Sequence, residues 1–272
     1  MADRAAAGGA DSGIRLDPVT RDVKLPPAFR LVVLDEVDST NDEARRLAEG
    51  GAEEGTLVWG LSQRKGRGRH GRDWASPEGN LYLSLLLRPD CPPREAAQLS
   101  FVAAMALTGA LTVLVAPHSQ IDFKWPNDVL LNGGKVAGIL LEASTTGADA
   151  LDWLIVGMGV NVASAPDGAT FPATSLRAEG CGEVTPGEVL EGFARHFQVR
   201  ANIWVEDGFA PIREEVMRYA KGVGEAITVT LGEETIEGIF ADIDETGALI
   251  VEMGDGSLRT VHTGDVFFGG AA

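Results

Sequence analysis

Apolar residues crowd the run Phe29–Leu34 and then break off at a polar tetrad, Ser39-Thr40-Asn41-Asp42, so a strand is followed by an N-cap signal. Ala44, Leu47 and Ala48 follow at helical spacing, and Gly50-Gly51 stops the helix. Leu57–Ser62 and Asn80–Arg88 read as two strands around a stretch with no apolar period. Leu99–Ala116 is a long apolar run of helical length. Ile121–Lys124, Val129–Leu131, Val136–Glu142 and Leu151–Val162 read as strands. The second and third of these flank Asn132-Gly133-Gly134, a strong hairpin-turn signal. Glu188–Asn202 and Pro211–Ala220 are helical in pattern. From about Gly222 the texture changes to short strands at Ala226–Leu231, Ile236–Ala241, Ala248–Met253 and Leu258–Thr263, separated by Gly/Asp/Glu turns. That spacing suggests a small all-β barrel.

The pattern thus predicts a mobile tail at 1–28, an α+β body at 29–221 and a β unit at 222–272. Leu99–Ala116 is the one stretch with membrane-like hydropathy. It contains Ser100, Thr108, Gly109 and Thr112 and falls short of the ~20 predominantly apolar residues of a span, so a buried core helix is the better reading. The first 28 residues lack a continuous apolar core and do not form a signal peptide. Cys91 and Cys181 suggest neither a disulfide framework nor a metal pair, which fits a reducing, cytoplasmic setting. The formal net charge of -17 argues against general attraction to nucleic acid or anionic lipid.

Against that acidic background, residues 64–72 (Arg-Lys-Gly-Arg-Gly-Arg-His-Gly-Arg) gather five Lys/Arg cations and three glycines between two strands. Glycines let backbone N–H groups approach a ligand and guanidinium forks suit phosphate or carboxylate, so the loop calls for an anion. Gln63 before it and Trp74 after it add an amide and an aromatic face. A second segment, Lys124-Trp125-Pro126-Asn127-Asp128, leads through the hairpin to Gly134-Lys135-Val136-Ala137-Gly138. There a lysine stands at the rim of an apolar strand whose Gly138 lets a ligand lie flat. The third is Gly157-Met158-Gly159-Val160-Asn161, where Asn161 can bond a purine or ribose. The four histidines, 70, 118, 196 and 262, show no ligand spacing.

Taken together and in this order, Ser39-Thr40-Asn41, the loop 66–72 with Trp74, Asn80–Ser84, Lys124–Asp128, Gly134–Leu140 and Gly157–Asn161 resemble the biotin–protein ligase family. The resemblance runs from about Leu34 to Val162, continuing through Ala173-Thr174-Ser175-Leu176 and the C-terminal unit. It implies a catalytic domain like those of class II aminoacyl-tRNA synthetases and biotin ligases, with a mixed sheet and helices, followed by a small SH3-like barrel. It also implies two half-reactions: biotin and MgATP give biotinyl-5′-AMP and pyrophosphate, then a carrier lysine takes the biotin and AMP leaves. By the same resemblance, Ser39, Thr40, Asn41 and Gln63 hold the ureido end of biotin, with Tyr82, Gly138 and Leu140 lining the apolar slot. Arg67, Gly68 and Arg69 close over the carboxylate and α-phosphate. Lys135 bridges the two and, with Arg69, carries the catalysis. Arg67, Arg69, Arg72, Trp74, Lys124, Asn127, Lys135, Asn161 and, from the C-terminal barrel, Arg259 face the nucleotide. Asp128 helps seat magnesium, which arrives with ATP; no tightly bound metal is implied.

The implied partners are biotin, ATP and the biotin carboxyl carrier domain of an acetyl-CoA or acyl-CoA carboxylase, with no DNA or membrane partner, and the chain is expected to be a monomer or weak homodimer. Some members carry an N-terminal helix-turn-helix; about 28 residues precede the catalytic region here, which points to the monofunctional class. Some place a tryptophan over adenine, for which no obvious equivalent stands near 171–176. The competing readings are a lipoate ligase or octanoyltransferase, a DNA-binding regulator, and a passive biotin- or nucleotide-binding module. Glycines and mutual cation repulsion predict that loop 64–72 is mobile without ligand.

Overall fold

A computed structural model describes residues 23–146, 150–168 and 171–269. The expected tail at 1–28 therefore falls mostly outside the described residues. Strands β1 (Arg30–Val37), β2 (Thr56–Gln63), β3 (Leu81–Leu87), β4 (Ile121–Lys124), β5 (Asp128–Leu131), β6 (Gly134–Thr145) and β7 (Leu151–Val160) form one sheet in the order β1-β2-β3-β7-β6-β5-β4. Only β1 and β2 run parallel, joined through helix α1 (Thr40–Glu49); the other neighbours are antiparallel, so the expected mixed sheet is present. The hairpin between β5 and β6 turns at Asn132 (φ 50°) and Gly133 (φ 84°), two consecutive left-handed residues of the kind a tight two-residue turn requires.

The sheet's two faces are covered unequally, and the period-two pattern of its strands says how. Leu81, Leu83, Leu85 and Leu87 of β3, with Leu154, Val156, Met158 and Val160 of β7, point into the main core. That core lies under α3 (Leu99–Leu114), α4 (Pro186–Asp207) and α5 (Ala210–Tyr219), with the short α2 (Pro93–Ala96) leading into α3. The apolar run 99–116 is thus a core helix, as expected, with Val102 to Leu107 at 0% exposure. It packs against α4 where small residues, Ala110 and Gly192, meet, leaving no room for a side chain on Gly192. On the opposite face the alternate residues Val58, Leu86, Trp153 and Ile155 pack under Ala44 and Ala48 of α1, a smaller cluster that covers only part of the sheet. Further along that face the alternate positions include Gly138, Gly157 and Gly159; the Asn41 side chain, from the first turn of α1, reaches over Gly157, and no helix covers the other two. The functional surface is this uncovered half.

The last five strands, β8 (Ala226–Leu231), β9 (Glu234–Ile243), β10 (Leu249–Glu252), β11 (Leu258–Val261) and β12 (Asp265–Phe268), make an antiparallel sheet in the order β11-β10-β9-β8-β12. Among the described residues no pairing joins β11 to β12, so an open five-stranded sheet stands where a barrel was expected. β12 escaped the sequence reading because it is four residues long with glycines close on both sides. The two sheets are tied together at buried Trp125, whose indole N–H donates to Gly247 O at 3.0 Å, and at Phe101, which packs on Gly247. Trp125→Phe leaves that carbonyl without its donor and is expected to cost about 1–3 kcal/mol in denaturant unfolding, with the native fold retained.

Candidate active site

A cavity of about 970 Å³ opens on the uncovered face, between the sheet, the start of α1, the basic loop and β12. Its floor is flat for a steric reason. Gly138 and Gly159 are register partners on β6 and β7, and Leu140 pairs with Gly157. The Trp74 ring lies across the first two, so that a Cβ on Gly138 would sit 3.1 Å from its ring and one on Gly159 would overlap the indole. A Cβ on Gly157 would collide with the Asn41 amide. Side chains there would fill the floor.

At one end the cavity is polar and its side chains are buried. Ser39, Thr40 and Asn41 are each 4% exposed. Gln63 Oε1 accepts from Thr40 N at 2.8 Å and Thr40 Oγ1 at 3.2 Å, while Gln63 Nε2 donates to Ser76 Oγ at 2.9 Å. Ser84, wholly buried on β3, lies within donating distance of Thr40 Oγ1 (2.8 Å) and Asn41 Oδ1 (2.6 Å). A hydroxyl has one proton, so it satisfies one of these acceptors at a time.

At the other end cations gather. Lys135 Nζ lies 2.7 Å from Asp128 Oδ1 and 5.3 Å from the centre of the Trp74 ring. Its backbone is pinned to the following segment, with Lys135 N donating to Pro172 O (2.8 Å) and Thr174 N to Lys135 O (3.0 Å). Lys124, 6% exposed, sits 4.7 Å over the Phe171 ring and 6.0 Å over Phe267; burial pushes its pKa down, with Asp128 opposing. Arg69 reaches across to the C-terminal sheet, donating to Thr263 Oγ1 at 2.8 Å and Gly264 O at 3.2 Å, and lies 3.4 Å from Asn127 Oδ1. Burial lowers its pKa, with Asp265 and Asp128 opposing. Arg72 pairs with Asp265 at 2.9 Å. Burial acts to raise the Asp265 carboxyl, but the Arg72 hydrogen bond and the charges of Arg72 and Arg69 hold it below the usual carboxylate range.

Most expected site residues therefore meet in one cavity: Ser39, Thr40, Asn41, Gln63, Arg67, Gly68, Arg69, Arg72, Trp74, Lys124, Asn127, Asp128, Lys135, Gly138, Leu140 and Asn161 all line it. Two do not. Tyr82, the register partner of Gly159 and on the same face of the sheet, is fully buried beside the floor, its hydroxyl donating to Pro77 O at 2.7 Å and its pKa pushed up to about 12, mainly by burial. Arg259 belongs to β11, at the edge of the C-terminal sheet opposite to β12, and pairs with Glu234 at 2.7 Å. Strand order, which spacing along the chain does not encode, separates it from the cavity. Asn161 spends its amide donor on Lys135 O (3.4 Å) and Thr174 O (3.1 Å), bracing the lysine's turn. Arg67 turns its guanidinium to Asp42 and Glu142 and not into the cavity. Phe171, Phe267 and Asp265 were missed; the first stands within the very stretch, 171–176, where only a tryptophan was sought.

No cluster of three or more His, Cys, Asp or Glu suited to a metal occurs among the described residues. Asp128 Oδ1 is buried and lies close to the Lys135 ammonium but receives no aligned hydrogen bond. One such oxygen can add a ligand to a cation carried in by phosphates, but cannot hold one alone.

Residues 73–218 match the model of the biotin/lipoate A/B protein ligase family, and 222–269 that of the biotin protein ligase C-terminal domain. A biotin–[acetyl-CoA-carboxylase] ligase of Paracoccus denitrificans is 44% identical over 88% of this chain and all of its own length. The bifunctional ligase/repressor BirA of Bacillus subtilis is 35% identical, covering 88% of this chain and 74% of its own. Among solved structures, the Aquifex aeolicus biotin protein ligase in complex with biotin and ATP superposes with a TM-score of 0.73 at 31% identity, over 88% of this chain and 97% of that one. The floor, the polar end and the cation end thus sit in a chain that belongs to the biotin/lipoate A/B protein ligase family.

Proposed function

We propose that this protein is a biotin–protein ligase, which activates biotin with ATP as biotinyl-5′-AMP and passes biotin to a lysine of a biotin carboxyl carrier domain. The observation that carries the reading is the arrangement of one cavity: a buried hydrogen-bonding end, a glycine floor, and Lys124, Lys135 and Arg69 converging at the far end. Ser39, Thr40, Asn41 and Gln63 suit the ureido group, the floor suits the bicyclic rings lying flat, and the cations suit a carboxylate meeting an α-phosphate. A carboxylate oxygen of biotin attacks the α-phosphorus and pyrophosphate leaves. The acceptor amine then attacks the acyl carbon, loses a proton, and AMP leaves. Both steps gather negative charge around the same α-phosphate, which fixed ammonium and guanidinium groups stabilise without reorganising. Lys135, steadied by Asp128 and by its pinned backbone, is the central group, with Arg69 opposite. Magnesium enters with the triphosphate, with Asp128 as its candidate protein ligand. Phe171 and Phe267 offer the aromatic faces nearest the nucleotide end.

The polar end favours biotin over lipoate. A dithiolane ring offers no strong partner to Thr40, Asn41 and Gln63, and buried polar groups left unpaired cost about 1–3 kcal/mol each. The name of the Paracoccus relative supports the carrier domain of acetyl-CoA carboxylase as the acceptor, and the two free cysteines suit a reducing, cytoplasmic setting.

Incubation with ATP, labelled biotin and a biotin carboxyl carrier domain is expected to label the carrier and release AMP and pyrophosphate; preferential labelling with lipoate would overturn the assignment. Lys135→Ala is expected to slow pyrophosphate release by about 10²–10³-fold in a protein whose unfolding transition is preserved. Gly159→Ala puts a methyl group where Trp74 and the rings must lie, and overpacking of about 1–3 kcal/mol is expected to raise the KM for biotin about tenfold or more, with little change in that for ATP.

A further inference from the structure

The hairpin between β5 and β6 brings Lys135 to the rim of the cavity, and it is held from behind by side chains that line no part of that cavity. Asn132, in the turn, uses both ends of its amide. Its Oδ1 accepts from Gln120 N at 2.9 Å, and its Nδ2 donates to Glu179 Oε2 at 2.6 Å. The second carboxylate oxygen, Glu179 Oε1, accepts from Thr174 Oγ1 at 2.5 Å. One carboxylate therefore joins the hairpin turn to the segment laid beside it. Thr174 belongs to the stretch that grips the lysine: its backbone N donates to Lys135 O at 3.0 Å. Its side chain presses on Gly134, where a Cβ would stand 2.8 Å from Thr174 Cβ, so the close approach of the two backbones requires glycine there.

Glu179 is itself fixed by a short turn. Ser175 Oγ accepts from Ala178 N at 3.2 Å, Ser175 O accepts from Glu179 N at 3.1 Å, and the turn closes on left-handed Gly180 (φ 84°). Leu176, at 0% exposure, roots that turn in the main core. The two bonds to Glu179 are unequal. Asn132 is exposed, so its bond competes with water, whereas Thr174 is 9% exposed and its hydroxyl loses the partner it donates to when the carboxylate is removed. Lys135 has a long flexible stem. Its reach is set by the Asp128 carboxylate 2.7 Å from its head and by the pinned backbone at its root.

We propose that Glu179 is a positioning residue for the reaction: with Thr174 and Asn132 it staples the hairpin to the segment 172–179 and holds the root of Lys135 where its ammonium can bridge the reacting carboxylate and phosphate. The catalytic consequence rests on the function proposed above; the staple itself does not.

The test separates the two. In pyrophosphate release, Glu179→Ala is expected to lower kcat about tenfold and to leave the KM for biotin within about twofold, because it shifts the lysine and touches neither the polar end nor the floor. Thr174→Val keeps the shape packed on Gly134 and removes the hydroxyl; it is expected to lower kcat about fivefold, and Thr174→Ser, which still donates, less than about twofold. Placed on Lys135→Ala, Glu179→Ala is expected to lower the remaining rate less than about twofold, since its effect runs through that lysine. Amide exchange read by mass spectrometry over 130–136 is expected to quicken about tenfold in Glu179→Ala, with exchange over α3 unchanged. A loss of about tenfold that persists on the Lys135→Ala background, or a Glu179→Ala kcat within about twofold of wild type in the folded protein, overturns the positioning role. Unchanged exchange at the hairpin overturns the staple. If Glu179→Ala does not fold, Thr174→Val, which removes the other end of the same bond, is read in its place in the same way. A wild type that makes no biotinyl-adenylate, with hairpin exchange still quickened in the variant, rejects the functional reading and leaves the staple standing.

Discussion

The face of the seven-stranded sheet that α1 leaves bare is the constraint from which the rest follows. A sheet face buries its alternate side chains or leaves them wet, and here the exposed half has been stripped to glycine at 138, 157 and 159. The same strands send Val136, Ile139, Val156, Met158 and Val160 to the opposite side, where α3 and α4 hold them. Strand β7 is thus committed to the core along one side, while on the other Trp153 and Ile155 pack under α1 and only Gly157 and Gly159 carry no side chain. That asymmetry makes a rigid floor without requiring the site to be assembled from mobile loops.

Charge is distributed on the same plan. The chain is acidic, yet its cations converge on this floor, and each is accompanied by a carboxylate: Lys135 by Asp128, Arg67 by Asp42 and Glu142, Arg72 by Asp265. These pairs offset the mutual repulsion of the loop's cations where it lies over the sheet. Lys124 differs: it is buried against two aromatic rings, with no carboxylate oxygen within 4 Å among the described residues. An arriving phosphate meets one underpaired ammonium and several cations that can exchange a carboxylate for it.

Much of this was legible from residues alone because local chemistry and tertiary role agree. Asn132-Gly133 has one good conformation, a left-handed pair, and adopts it; the alternation in β3 and β7 reports the buried face; the run of cations at 64–72 offers no apolar face to a core. What escaped depended on which strands become neighbours. Arg259 and Asp265 lie six residues apart, yet strand order sends one to the outer edge of the C-terminal sheet and the other onto Arg72. Tyr82 alternates with core leucines and so was read as lining the slot, but its hydroxyl is claimed by Pro77 O. Nothing in the spacing of Asp42 and Glu142 tells that Arg67 lies between them.

The most direct measurement is a crystal structure of the protein with a non-hydrolysable biotinyl-adenylate analogue. The account expects the bicyclic rings against the Trp74 indole where it crosses the glycine floor, the ureido group on Thr40, Asn41 and Gln63, and the linking phosphate within hydrogen-bond reach of Lys135 Nζ. An analogue seated off the glycine floor, or a phosphate that Lys135 does not touch, would contradict it.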